Sequence, residues 1–289
     1  MKCGASSYSY LRLLESGQMD LPAVIDKTAE MGFDGIEFAM LYGYDTADPD
    51  ILSHVRKLRQ ACADASLPII SYTIGADFLA RDWRQEAERL KGEVRIAAEL
   101  GVPVMRHDAT CGFPEGHQGD ASFDAALPAL ADGCRAVTEY AATLGVKTTV
   151  ENHGFFVQDS DRCEKLMKAV DHENFGALVD VGNFLCADEE PTLAVARMAP
   201  YALHCHVKDF HVKPADAADP GKGWFRSRGG NYLRGSILGH GNVDVPTCLA
   251  TLKRAGYDGF VSIEFEGLED NLQALEIGLE NLRKYMAGS

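Results

Sequence analysis

Four segments in the second half of the chain each close an apolar run with a side chain able to ligate a metal. They are Thr148-Thr149-Val150-Glu151-Asn152-His153, Ala177-Leu178-Val179-Asp180-Val181-Gly182-Asn183, Leu203-His204-Cys205-His206-Val207-Lys208-Asp209 and Val261-Ser262-Ile263-Glu264-Phe265-Glu266. One charged residue at a strand end only marks where solvent begins. Four in succession, separated by helix-patterned stretches, predict ligands converging on one divalent ion. Alternation along a strand assigns the faces: Glu151 shares one with His153, His204 with His206 and Lys208, and Glu264 with Glu266. One ligand per strand then gives Glu151, Asp180, His206 and Glu264. Three carboxylates and one imidazole suit Mn²⁺ best, with Co²⁺, Mg²⁺ or Zn²⁺ as alternatives, and an octahedral ion keeps two positions for water or substrate. A structural zinc site prefers thiolates in a closed tetrahedron, and Cys205 is expected to point away from His206.

The elements that must position these residues alternate in eight rounds. Short β-like runs are predicted at 3–9, 35–40, 68–74, 102–107, 146–153, 175–181, 202–209 and 260–266, with amphipathic stretches between them. Leu268, Leu272, Leu275, Leu279, Leu282 and Met286 form one apolar stripe on the last helix, which core packing explains. Glycine closes several helices, as in Met31-Gly32 and Leu100-Gly101. No linker or low-complexity run divides residues 1–289, so the expectation is one α/β domain, a single (β/α)₈ barrel. An open doubly wound sheet is the alternative, although no Gly-x-Gly-x-x-Gly turn follows a strand. More than thirty residues separate the seventh strand from the helix near Val245. In a barrel this long loop would lie over the C-terminal mouth as a lid carrying substrate contacts.

Composition bounds the function. A chain of 289 residues with 46% hydrophobic and 25% charged residues is that of a globular protein with a sizeable core. Its 28 Lys+Arg against 43 Asp+Glu leave a net charge of −15, which argues against a nucleic-acid partner. Eight cysteines without a Cys-x-x-Cys pair read as reduced thiols. With no signal-peptide pattern and no membrane span, the expected compartment is the cytoplasm.

The set Val150-Glu151-Asn152, Asp180-Val181-Gly182-Asn183, His204-Cys205-His206-Val207-Lys208-Asp209, Gly239-His240-Gly241-Asn242-Val243-Asp244 and Gly256-Tyr257-Asp258-Gly259 through Ile263-Glu264 resembles the xylose isomerase-like TIM-barrel superfamily. The likeness covers nearly the whole chain and is nearest to the sugar isomerase and epimerase branch, which includes ketose 3-epimerases, hydroxypyruvate isomerases and inosose dehydratases. It implies Glu151, Asp180, His206 and Glu264 as metal ligands, with Glu151 and Glu264 also the acid/base pair, and a homo-oligomer as the default assembly. The chain departs from the family pattern twice. Asn183 stands where Asp-x-x-His motifs carry histidine, and Lys208 where epimerases place an arginine. With only His107 available as a further ligand on the earlier strands, a multinuclear endonuclease is disfavoured.

The expected activity is a divalent-metal-dependent sugar isomerisation or epimerisation. A ketose chelating the ion has a more acidic α C–H, because the ion stabilises the enediolate. One glutamate removes the proton and the other returns one. The alternatives are a dehydratase or lyase acting on a keto-sugar or keto-inositol, and a sugar-binding barrel without turnover. Candidate substrate contacts are His153, Asn183, Lys208, Arg228, Arg234 and His240, with Arg226 beside them. Glu37 joins this list because Gly32-Phe33-Asp34-Gly35-Ile36-Glu37-Phe38 echoes the turn at Gly256 and the Ile263-Glu264-Phe265 that follows it, which places Glu37 at the same rim as Glu264. His204 is expected to be a hydrogen-bonded core histidine.

Overall fold

The computed structural model describes residues 1–288. Apolar, β-branched runs bounded by turn residues form the strands β1 (Lys2–Ser6), β2 (Gly35–Ala39), β3 (Ile69–Ile74), β4 (Val104–His107), β5 (Lys147–Glu151), β6 (Phe175–Asp180) and β7 (Ala202–Val207). After β7 come β8 (Asp209–Lys213), β9 (Phe225–Arg226) and β10 (Tyr232–Ser236), and β11 (Phe260–Ile263) is last. Strands β1 to β7 and β11 close into a barrel in the order β1-β11-β7-β6-β5-β4-β3-β2. Its neighbouring pairs are parallel throughout. This is the expected (β/α)₈ architecture.

The helices are α1 (Leu11–Glu15), α2 (Leu21–Met31), α3 (Ile51–Asp64), α4 (Trp83–Leu100), α5 (Phe123–Thr143), α6 (Ser160–Val170), α7 (Pro191–Met198), α8 (Val245–Arg254) and α9 (Asn271–Gly288). Several begin where an Asp or Ser side chain accepts a first-turn amide: Asp20 for α2, Asp82 for α4, Ser122 for α5 and Asp159 for α6. Gly32 closes α2 in the left-handed conformation at φ 86°.

Alternation splits the strands into two unlike faces. Ile36, Phe38, Val150, Val179, Cys205 and Val261 join Val24, Val94, Leu130 and Leu249 of the helices in one hydrophobic cluster. Toward the axis the chain buries Glu37, Arg106, Glu151, Asp180, His204, His206 and Ser262 instead. Ile70 closes the floor against Gly4 and Gly35. A Cβ at either glycine would fall 2.5 or 2.4 Å from the isoleucine side chain, so no larger residue fits. A barrel interior this polar is costly unless its groups satisfy one another.

The connection after β7 is folded rather than an open loop. Strands β8, β10 and β9 form a three-stranded antiparallel sheet, with Tyr232 to Ser236 opposite Lys213 to Asp209. Asp209 anchors its return: Oδ2 accepts the amides of Gly239 and Gly241 at 2.9 and 2.8 Å, and Oδ1 those of Phe210 and Val243 at 2.9 and 3.0 Å. Among the described residues no helix is long and apolar enough to cross a membrane, and all eight cysteines are unpaired.

Candidate metal centre

Ligand-capable atoms of Glu151, Asp180, His206 and Glu264 all lie within 4.8 Å of one another, and the four residues are buried. His206 Nδ1 is central, 3.7 Å from Glu151 Oε1, 3.7 Å from Glu264 Oε1 and 3.9 Å from Asp180 Oδ2. These are the four residues expected from one ligand per strand, and β5, β6, β7 and β11 deliver them from adjacent staves.

Neighbouring groups orient each ligand. Asn152 spans β5 and β6, accepting from Asp180 N at 2.9 Å and donating to Asp180 O at 2.8 Å. Asp180 Oδ1 then accepts the amides of Gly182 and Asn183 at 2.8 and 3.0 Å, which turns Oδ2 toward the cluster. Gly182 is required where it stands, because a Cβ would come 2.6 Å from Lys208 O. Asn183 Nδ2 donates to Glu151 Oε1 at 2.9 Å. That bond orients Glu151, while Asn183 also lines the cleft beside Lys208.

Below the cluster, His206 Nε2 donates to both oxygens of Glu37 at 2.9 Å. That bond keeps a proton on Nε2 and turns Nδ1 toward the three carboxylates. Burial lowers the His206 pKa, but Glu37, Glu264 and Glu151 outweigh it and hold it well above its usual value, so a metal bound at Nδ1 would take the place of a proton. His204 Nε2 also meets Glu37 at 2.7 Å and Ser262 Oγ at 3.1 Å, the core role expected of it. Glu37 itself is fully buried, so it is not brought to the rim with Glu264. It sits inside β2, whereas Glu264 follows the end of β11; the turn echo matched local chain geometry, not height along the barrel. Burial opposes the Glu37 charge, but the His206 and His204 imidazoles outweigh it and hold the carboxyl well below its usual range.

Two buried cations offset part of this acidic charge. Lys208 Nζ lies 2.5 Å from Glu264 Oε2, 2.9 Å from Glu266 Oε1 and 3.6 Å from Asp180 Oδ2. Arg106, absent from the residues expected at the site, lies 2.7 Å from both Glu151 Oε2 and Asp108 Oδ1. It shares the inward face with Val104, and this alternation was its available signal; His107 drew attention instead. His107 points outward, edge-on to Phe78, with burial pushing its pKa down to about 4. Asp108 also meets His153 Nδ1 at 2.9 Å. Partial burial works against the charged form of His153, and the Asp108 carboxylate reverses that, raising its pKa.

The ligand carboxylates titrate unequally. Burial raises Asp180 to about 6; Lys208 opposes this, and Glu151 and Glu264 reinforce it. Burial acts upward on Glu151 as well, but Arg106 and His206 bring it down to about 2. Asp180 Oδ2 and His206 Nδ1 are both buried without a hydrogen-bond partner. Such orphaned atoms are costly in a protein interior, and a divalent ion coordinated by both would satisfy them. The residues therefore fit a divalent metal, held by Glu151, Asp180, His206 and Glu264.

Above the cluster, a cavity of about 200 Å³ is lined by Tyr8, Thr73, Arg106, Asp108, Glu151 and Glu264, with His153 and Glu266 at its border. The loop arginines are engaged elsewhere. Arg228 bonds Asp159 Oδ2 at 2.7 Å and Phe155 O, Arg234 lies 3.4 Å from Glu269 Oε1, and Arg226 stacks on Tyr232 and bonds Gly230 O. His240 is exposed on the turn held by Asp209. Of the expected substrate contacts, the structure brings His153, Asn183 and Lys208 to the cleft and leaves Arg228, Arg234 and His240 outside it. Arg226 found its partners within the insertion, and Arg228 and Arg234 found theirs beside α6 and after β11, which sequence spacing does not reveal.

Known proteins resemble this chain in sequence and fold. Inosose dehydratase of Geobacillus thermodenitrificans is 23% identical over 260 residues, covering 86% of this chain and 83% of its own length. Among solved structures, IOLI protein with a bound zinc atom superposes with a TM-score of 0.77 at 16% identity, covering 100% of this chain and 99% of that one. The 3-keto-D-glucoside 4-epimerase YcjR of E. coli superposes with a TM-score of 0.70 at 16% identity, covering 98% and 99%. The family model described as xylose isomerase-like TIM barrel matches residues 25–285. Barrel order, buried ligand cluster and family match agree, and the chain belongs to the xylose isomerase-like TIM-barrel family.

Proposed function

We propose that this chain is a cytoplasmic, divalent-metal-dependent lyase that removes water from a keto-polyol such as a keto-inositol. The observation that carries the reading is the asymmetry of proton carriers around the cluster. Epimerisation needs two exchangeable carriers on opposite faces of one carbon. Here Glu151 is held by Arg106 and Asn183, and Glu264 by Lys208, so both are stabilised as anions. At the cleft opening stands a different kind of group, the His153–Asp108 pair. Elimination needs one base and one acid, and this layout supplies them.

A divalent ion at the cluster, for which three oxygens and one nitrogen suit Mn²⁺, would polarise the substrate carbonyl and acidify the adjacent C–H. Glu264, more exposed than Glu151, accepts that proton. The electron pair forms the new double bond, and the β hydroxyl leaves as water with the proton of His153. Asp108 orients the imidazole for this transfer. Likeness to an inosose dehydratase over 86% of this chain supports the same reading, and eight unpaired cysteines suit a reducing compartment.

Isomerisation or epimerisation with Glu151 and Glu264 as the acid/base pair is the second reading, supported by the structural likeness to a keto-glucoside epimerase. A panel of keto-inositols, ketoses and aldoses, incubated with Mn²⁺-loaded protein in D₂O, separates the two. Loss of water by mass spectrometry is expected. An isomeric product, heavier only by the deuterium it carries on carbon, would instead establish the isomerase, and neither change with any member would remove the catalytic reading. His153→Asn should slow water loss by roughly 10²-fold or more while α-proton exchange persists.

A further inference from the structure

A second compartment adjoins the metal cluster on the side of the inserted sheet. It encloses about 460 Å³, within the roughly 300–1,000 Å³ typical of small-molecule sites. Phe155, Phe210, Phe225 and Cys186 supply an apolar wall, and Lys208 and Asn183 form its border with the cluster. A molecule seated there is continuous with the metal ligands, because Lys208 bonds Glu264 and Asn183 bonds Glu151.

Phe155 is the anomaly in this wall. Its φ is 63°, a left-handed conformation that bulky side chains disfavour, and the residue is 44% exposed. The turn is pinned on both sides: Phe155 N donates to Gln158 Oε1 at 2.6 Å, and Phe155 O accepts Arg228 Nη2. Glycine or asparagine would satisfy those bonds with less strain, so the backbone bonds do not call for an aromatic ring here. Phe225, 36% exposed on β9, enters the same compartment edge-on to Phe210, with ring centroids 5.8 Å apart.

We propose that Phe155 and Phe225 are specificity residues that receive the C–H face of a cyclic polyol ketone and select it over open-chain sugars. A six-membered polyol with equatorial hydroxyls presents axial C–H bonds, which suit the electron-rich face of an aromatic ring and lose water on contact. An open-chain ketose has no such face. Wetted hydroxyls around the ring edge reach Lys208 and Asn183, which keeps the carbonyl side toward the cluster. The choice of a keto-polyol rests on the function proposed above; the ring preference rests on this compartment.

Titration calorimetry on the Mn²⁺-loaded protein tests it with myo-inositol and D-glucitol, six-carbon polyols without a carbonyl. The cyclic polyol should bind roughly tenfold more tightly. Phe155→Gly and Phe225→Ala should each weaken it about fivefold and leave D-glucitol unchanged, while Phe155→Tyr keeps the preference. Phe155→Gly relieves the strained backbone, so its melting temperature should not fall. Equal affinities, no measurable binding of myo-inositol, or a preference that survives Phe155→Gly would each overturn the proposal. Neither polyol is turned over, so the outcome is independent of the dehydration assay.

Discussion

Glu37 shows how a residue outside the ligand set can govern the centre. Its bonds to His206 Nε2 decide which imidazole nitrogen faces the three carboxylates. Glu37→Gln introduces an amide that can donate to Nε2 and favour the other tautomer. Affinity for Mn²⁺, read by calorimetry, should fall roughly 10–100-fold with the fold intact. Unchanged affinity would mean that His206 is oriented by packing alone. Protons compete for the same site. Asp180 titrates at about 6 without metal, so binding below that pH must displace a proton. His206, held protonated well above its usual pKa, must release a proton as well. The affinity is therefore expected to weaken about tenfold per pH unit just above about 6 and about a hundredfold per unit below it, for one and then two displaced protons. A profile that does not steepen across this range would remove Asp180 from the ligand set.

At the scale of elements, the inserted sheet depends on Asp209, which accepts four backbone amides from its own strand and from the returning chain. Asp209→Ala leaves those donors unanswered at a buried position, and a loss of about 3 kcal/mol is expected from thermal unfolding. The exposed stretch between β8 and β9 should then be cut faster by trypsin at Lys222, with the barrel itself still resistant. Equal cleavage rates would show that sheet pairing holds the insertion without the aspartate. The insertion contributes Phe210 and Phe225 to the lining of the cleft. Its arginines were misjudged because Asp159, Glu269 and the Tyr232 ring lie within their reach only after the insertion folds.

For the molecule as a whole, the barrel axis stores like charges that a cation would relieve. Four carboxylates (Glu37, Glu151, Asp180 and Glu264) and the cations Arg106 and Lys208 are buried together. Binding of Mn²⁺ to the folded state alone should stabilise it by about 2.7 kcal/mol at a hundredfold excess over the dissociation constant. The melting temperature should therefore rise by several degrees on adding Mn²⁺ and fall back with a chelator. Glu264→Gln should abolish that shift. A Glu264→Gln variant that still responds to Mn²⁺ in full would place the ion elsewhere.

Eight β/α rounds and the parity of residues along single strands were legible in the sequence, because both are local periodicities of 3.6 and 2. They marked Glu151, Asp180, His206 and Glu264 as candidate ligands, although His153, His204, Lys208 and Glu266 share the same faces, and they turned Cys205 outward. Strand stagger around a closed barrel is not local. It alone decided that Glu37 lies under His206 rather than at the rim, that Arg106 meets Glu151, and that Asp108 reaches His153 across 45 residues of chain. Neighbours on adjacent staves are set by register and closure, quantities that no single segment contains.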